Sequence, residues 1–282
     1  QAIYNLFQVL LNDGDEVIIP APYWLSYPQM VRLAGGKPVF LNSSAEDGFK
    51  INIQDLKSKI SPKTKFIIIN SPNNPTGRVM PKEELLQIAE LVRENKNINI
   101  LSDEIYELIL KKEFKHLSLA SLATDLKERI FIINGFAKGW AMTGWRVGYL
   151  VGQKDVIKAS SALQSQSTSN VCSFVQRGAL EALKINREFF LEINSHYDLR
   201  REVLYKGLKN IEGLFIYPPN GAFYAFPRLP NNSMTSVEFC KRILNDYGLV
   251  VVPGKPFGDD QCIRISWFIF AVSPSKVIIF AT

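Results

Sequence analysis

Residues 134–149 read NGFAKGWAMTGWRVGY, and two of them carry chemistry. Lys138 lies in a glycine-flanked polar turn after the apolar run 130–133, and Arg146 follows eight residues later with a second apolar run beyond it. A lysine in a partly dry turn near other cations gives up its proton more easily, and the neutral amine attacks carbonyls. A nearby arginine offers an anion a planar fork. Together the two suit an aldehyde that carries a phosphate. Alone, a lysine in a turn is more often a solvated surface residue, so the reading depends on what else reaches the same place.

Six runs have the composition of strands buried on both faces, continuous and rich in Val and Ile: residues 16–19, 38–41, 65–69, 98–101, 129–133 and 147–151. Amphipathic helical stretches separate many of them. In 81–96, Leu85, Ile88, Ala89 and Val92 make one apolar stripe, and Pro81 suits a first helical turn. The alternation predicts an α/β domain around a mostly parallel sheet with flanking helices.

Ligands of such sheets bind outside the carboxyl ends of the strands. The residues found there are Tyr23 and Trp24 after the first run, Asn73 and Asn74 after 65–69, Asp103 and Tyr106 after 98–101, and Lys138 after 129–133. If those four strands are parallel, an aromatic plate, an amide, a carboxylate with a phenol, and an amine converge on one edge. That set matches a pyridine aldehyde. Lys138 would form the imine, Asp103 would pair with the ring nitrogen, Tyr106 and Asn74 would bond the ring oxygen, Trp24 or Tyr23 would stack on the ring, and Arg146 would take the phosphate. Each has a duller reading alone: Asp103 as a cap, Asn73-Asn74-Pro-Thr-Gly77 as a plain turn, Trp24 and Tyr23 as the packed start of a helix reaching about Leu33.

The segments APYWLSYPQMV, SPNNPTGRVMPKEEL, SDEIYE and NGFAKGWAMTGWRVGY, with GAFYAFP at 221–227 and CIRIS at 262–266, resemble in order the signatures of class I aminotransferases. Within these fold-type I enzymes, which use pyridoxal 5′-phosphate, the nearest likeness is to the bacterial and cyanobacterial-plastid aspartate aminotransferases. The resemblance implies transamination between an L-amino acid, aspartate first, and 2-oxoglutarate through a Lys138 Schiff base. Aromatic or prephenate-type keto acids, or a non-catalytic fragment, are the alternatives. It implies Asp103, Tyr106, Asn74, Arg146 and Trp24 around the cofactor, Arg264 as the fork for the substrate α-carboxylate with Asn74 and Trp24 nearby, and a homodimer for the full-length parent. Read from its residues alone, Arg264 in a short apolar strand could equally be a snorkelling surface arginine. Ala137 stands where many relatives carry Ser.

The chain opens at Gln1, inside an amphipathic helix with Ile3, Leu6, Phe7 and Leu10 inward. Relatives carry a longer segment before this point, including a turn that binds the cofactor phosphate, so a fragment that holds the cofactor poorly is expected. At the other end, an apolar stretch from Trp267 runs on where relatives have a polar stretch and a closing helix, and exposed apolar patches are expected. Residues 1–185 are expected to form a large cofactor-binding domain and 186–282 a small α/β domain. Predicted helices cover 155–163, 174–183, 187–210 and 236–247, and predicted strands 215–217, 223–226, 250–252 and 262–266.

The net charge of +6 comes without a dense basic run, which argues against nucleic-acid binding. No stretch reaches the roughly 18 apolar residues of a membrane span. Cys172, Cys240 and Cys262 are odd in number and far apart, as in a reducing compartment, cytoplasmic or plastid-like. Only His116 and His196 are present and no metal-ligand spacing occurs, so no metal is expected. Neither G-x-G-x-x-G nor a P-loop pattern appears.

Overall fold

The computed structural model describes residues 1–230 and 234–267. The six apolar runs form β1 (Glu16–Pro20), β2 (Lys37–Leu41), β3 (Thr64–Asn70), β4 (Asn99–Asp103), β5 (Ile130–Gly135) and β6 (Gly148–Val151). They make one sheet in the order β2-β1-β3-β4-β5-β6. The first five are parallel, which includes the four strands whose ends carry the candidate chemistry. β6 runs antiparallel to β5, with Gly135 opposite Gly148.

Period-2 alternation divides the inner strands β1, β3, β4 and β5 between two cores. Ile18, Ile67, Ile69 and Ile100 pack with Leu85, Ile88, Ala89 and Val92 of α4 (Lys82–Glu94). Val17, Ile19, Phe66, Ile68, Leu101 and Phe131 pack on the opposite face with Ile3, Leu6 and Phe7 of α1 (Ala2–Leu10) and with Tyr27 and Val31 of α2 (Ser26–Leu33). Burial on both faces is why these strands are apolar throughout; the run 147–151, expected to be buried likewise, forms the edge strand β6 and is largely exposed. Leu10, expected inward, is half-buried. Pro81 is the N-cap of α4 rather than its first helical residue. The remaining helices of this part are α3 (Ile53–Lys59), the single turn α5 (Leu119–Leu122), α6 (Lys154–Ser167) and α7 (Ser173–Ala182).

The long α8 (Arg187–Lys209) leads to a second sheet of β7 (Tyr224–Ala225), β8 (Val252–Pro253) and β9 (Ile263–Ser266), antiparallel in the order β7-β9-β8, with α9 (Ser236–Tyr247) beside it. The expected strand 215–217 reduces to one bridge, Phe215 with Arg228. Pro218 and Pro219 follow it and have no N–H to continue a ladder. Tyr217 instead meets Phe49 edge-on, their ring centroids 5.9 Å apart. Trp267 does not open an exposed patch: it is 2% exposed and packs with Tyr106, Tyr197 and Phe223. The rest of that expected tail, 268–282, lies outside the described residues.

The two sheets meet through backbone contacts. Asn220 and Gly221 both donate N–H to the Gly77 carbonyl at 2.8 Å, Ala222 donates to Ile109 O at 2.9 Å, and Lys111 donates to Asn220 O at 2.8 Å. Gly77 has φ +70°, and a Cβ there would lie 2.5 Å from the Tyr224 carbonyl oxygen and 2.6 Å from Pro219 Cβ. Gly77→Ala is therefore expected to destabilise the protein by about 2–4 kcal/mol, combining left-handed strain with overpacking. Urea denaturation that matches the wild type would show that the seam is not tight.

Candidate active site

Each strand end delivers a polar group because the chain must leave the sheet there. At the end of β3, Asn70 donates Nδ2–H to the Asp103 carbonyl at 3.0 Å and accepts the Asn74 N–H on Oδ1 at 2.8 Å. One amide thus ties the 71–78 loop to the end of β4 and holds Asn74, which is buried. Asn73 caps the same loop, its Oδ1 accepting from the N–H and hydroxyl of Thr76.

Asp103 ends β4 and is 6% exposed. The Tyr27 hydroxyl donates to its Oδ2 at 2.5 Å and the Ile105 N–H to its Oδ1 at 3.3 Å. Burial pushes its carboxyl up to about 6 and adjacent Glu104 adds to this, while Tyr27, the Ile105 N–H and the charge of Lys138 hold it down. Trp24 sits edge-on to Tyr27 with centroids 5.3 Å apart and is half-buried.

Lys138 lies on the β5–β6 connection, which can double back tightly because β6 is antiparallel. Gly135 and Gly148 let the two strands touch there, since a Cβ on Gly135 would come within 2.7 Å of Gly148 Cα. The turn is closed by Ala141 N–H to Lys138 O at 3.1 Å and by the Thr143 hydroxyl to Ala137 O at 2.8 Å. Burial, then the positive fields of Arg264 and Arg146, hold the Lys138 amine below its ordinary pKa, and Asp103 opposes them. Its Nζ stands 5.9 Å from the Tyr106 ring centroid and 5.7 Å from that of Phe223. Arg146 is exposed, left-handed at φ +55°, and donates to the Thr143 carbonyl at 2.9 Å.

Tyr106 is buried, its hydroxyl 2.8 Å from that of Tyr224 on β7. Burial first, then Tyr224, raises its pKa well above the ordinary phenol value. Arg264, on the central strand of the second sheet, is no snorkelling residue. It is 5% exposed, its guanidinium carbon lies 4.7 Å from the Tyr224 ring centroid and 4.9 Å from that of Phe257, and Nη1 donates to Asn74 Oδ1 at 3.1 Å. Asn74, Asp103, Tyr106, Lys138 and Arg264 are thus linked by hydrogen bonds, ring contacts or mutual fields, with Trp24 and Arg146 at the margin.

Tyr27 and Tyr224 were not singled out from sequence. Tyr27 stands three residues after Trp24 where a helix opens, a spacing that puts both on one side. Tyr224 carries no local signal, because only the docking of the second sheet brings it to Tyr106.

Behind the pocket, the Glu104, Glu107 and His116 ligand atoms lie within 4.8 Å of one another. They are engaged with neighbours: Glu104 accepts from Ser102 and Ser118, both at 2.8 Å, and lies 3.1 Å from His116 Nε2, while Glu107 accepts from Asn134 at 2.7 Å.

The family model for aminotransferase class I and II matches residues 1–274. The chain belongs to that family. Among curated relatives, this aminotransferase is 44% identical over 277 residues to the probable aspartate/prephenate aminotransferase of Rickettsia prowazekii (strain Madrid E), across 95% of this chain and 69% of that one. It is 44% identical over 271 residues to the aspartate aminotransferase of Bacillus subtilis (strain 168), across 94% of this chain and 69% of that one. The crystal structure of the Rhizobium meliloti aspartate aminotransferase superposes with a TM-score of 0.90 at 35% identity, over 97% of this chain and 70% of that one. The Thermus thermophilus aspartate aminotransferase with maleate gives 0.88 at 41%, over 94% and 68%. The fold-type I architecture expected from the motifs is the one found. Among the described residues, no helix is long and apolar enough to cross a membrane.

The Asp103 carboxyl has a pH consequence in the cofactor-free aminotransferase. Its pKa rises from 3.8 to about 6 on folding, so the folded state holds its proton more tightly than the unfolded chain. Stability from this group is intact below pH 4, falls as pH rises through 6, and stays low above. Asp103→Asn is expected to stabilise the cofactor-free protein by about 2–3 kcal/mol at pH 7.5, with a gain that fades towards pH 4. Denaturation at the two pH values checks this, and a pH-independent difference would refute it.

Proposed function

We propose that this chain is a pyridoxal 5′-phosphate aminotransferase that exchanges the amino group of aspartate with 2-oxoglutarate. The observation that carries the reading is that Lys138 Nζ stands 5.9 Å from the ring centroid of Tyr106, three residues past the buried Asp103, with burial and two arginine fields holding the amine below its ordinary pKa. The donor set fits a pyridine aldehyde bearing a phosphate. Lys138 offers a nucleophilic amine, Asp103 an acceptor for a protonated ring nitrogen, and Tyr106 and Asn74 polar atoms for the ring oxygen. Arg146 offers a cation, and the first turn of α1, which has no side-chain cap, offers N–H groups, for a phosphate.

When bound, the cofactor supplies a carbonyl for the incoming amine and a ring that draws electrons from the substrate α-carbon. Asp103 would hold the ring nitrogen proton, which needs its carboxylate ionised, and Tyr27 and Ile105 would sustain that ionisation against burial. Trp24 would lie against the ring. Arg264 would offer its planar fork to the α-carboxylate. Lys138 Nζ would be the base that carries away the proton leaving the substrate α-carbon.

Aspartate is favoured by the names of the Bacillus and Thermus relatives. A second reading, prephenate or an aromatic keto acid, is favoured by the Rickettsia relative and by the aromatic aminotransferase of Pyrococcus horikoshii OT3, with a TM-score of 0.90 at 39% identity. We assign 1–185 to the large cofactor-binding domain and 186–282 to the small one. Exposed Phe174, Leu180, Leu183, Leu199 and Val203 favour a homodimer, and the three free cysteines favour a reducing, cytoplasmic or plastid-like compartment.

Mixed with pyridoxal 5′-phosphate, the folded chain should show a visible absorption band that aspartate bleaches and that Lys138→Ala removes. No band from folded protein would favour a non-catalytic piece. Arg264→Lys should raise KM for the amino acid roughly 10- to 100-fold through loss of the two-pronged contact, and an unchanged KM would move the carboxylate elsewhere. Prephenate turned over faster than oxaloacetate would favour the second reading.

A further inference from the structure

Tyr224 touches two groups of the pocket at once. Its hydroxyl lies 2.8 Å from that of Tyr106, and its ring faces the Arg264 guanidinium at 4.7 Å. Its backbone is fixed by pairing with Ser266 on β9, and its carbonyl lies against Gly77. We propose that Tyr224 is a positioning residue with two separable actions: its hydroxyl sets the direction of the Tyr106 proton, and its ring sets the plane of the Arg264 fork. The inference rests on the proposed role of this pocket.

The hydroxyl action follows from counting protons. Each phenol has one, and either oxygen can be the donor in the pair. An electron-rich ring oxygen placed against Tyr106 requires Tyr106 to donate outward. Its lone pair then accepts from Tyr224, and a phenol that accepts one hydrogen bond donates the next more strongly. Tyr224 thereby both orients and strengthens the Tyr106 donor. The ring action follows from stacking. Arg264 lies within 5 Å of two ring centroids, those of Tyr224 and Phe257. Contacts of this kind restrict a guanidinium while leaving in-plane N–H groups for a carboxylate.

Two substitutions separate the actions. Tyr224→Phe removes the hydroxyl and keeps the ring, and Tyr224→Leu removes both. The cofactor-loaded full chain would be titrated by its visible band, and maleate affinity would be measured by calorimetry. Tyr224→Phe should raise the midpoint of the band by roughly half a pH unit, because Tyr106 stabilises the ring oxygen less, and leave maleate affinity within about twofold. Tyr224→Leu should shift the midpoint similarly and weaken maleate roughly 5- to 20-fold. An unmoved midpoint in Tyr224→Phe, or maleate weakened equally by both variants, would overturn the proposal. A merely structural tyrosine would lower Tm and leave the midpoint alone. The wild-type band and its loss in Lys138→Ala report on the function of the pocket, whereas the difference between wild type and Tyr224→Phe reports on Tyr224.

Discussion

A carboxylate buried at the end of a central strand must be surrounded by groups that keep it ionised. Asp103 is that carboxylate, and much of the C-terminal edge of the sheet is arranged around it. The chain adds a second acid, Glu104, at the next position, and alternation along an extended chain sends successive side chains to opposite faces. Glu104 is met behind the pocket by Ser102, Ser118 and His116, which hold its carboxyl below its ordinary pKa despite burial. Among the described residues, Asp103 is held by Tyr27, one backbone N–H and the field of Lys138. The two neighbours differ for a physical reason: among the described residues the rear acid gathers three side-chain partners and the front one a single side-chain hydrogen bond. A pyridinium nitrogen is the kind of donor that would complete the front set.

Lys138 is under a comparable electrostatic tension. Its amine sits among two arginine fields and two aromatic rings, with Asp103 the opposing charge. An amine that cannot stay comfortably protonated is a nucleophile, and a carboxylate that cannot stay comfortably ionised seeks a proton. Strain of this sort lowers the stability of the empty protein and makes the pocket complementary to a ligand carrying the missing groups. The apolar cores on both faces of the sheet supply the burial that such a site draws on.

The large sheet was legible because its inner strands are buried on both faces and must be apolar without interruption; all six runs were found within a residue or two of their ends, although the edge strand β6 is largely exposed. The places of Lys138, Asp103, Asn74 and Tyr106 in the fold were legible for the same reason, since each stands at the end of such a run or within four residues of it. What the sequence hid depends on long-range geometry. The reversal of β6 is set by the glycine contact between Gly135 and Gly148, which no local pattern announces. The run 215–217 has strand composition, yet the prolines after it and the contact of Tyr217 with Phe49 draw it away from a ladder. Arg264 was ambiguous as one charge in an apolar strand, and only the rings of Tyr224 and Phe257 on the folded protein show it to be inside.

The second sheet is held where Arg264 needs to be. Gly77 receives two N–H groups from 220–221, and Tyr23 donates its own N–H to the Phe257 carbonyl at 3.0 Å. Both contacts join loops that leave the large sheet at its C-terminal edge to segments flanking β7 and β9. The fork of Arg264 is then fixed relative to Asn74, which Asn70 fixes in turn relative to Asp103. Three short hydrogen-bonded links connect Arg264 to the end of β4, with few flexible side chains between them. On the proposed function, proximity of this kind would matter for α-proton chemistry, because the reacting groups would have to be held in one geometry. A buried, ring-stacked arginine would then fix the substrate carboxylate before any proton moves.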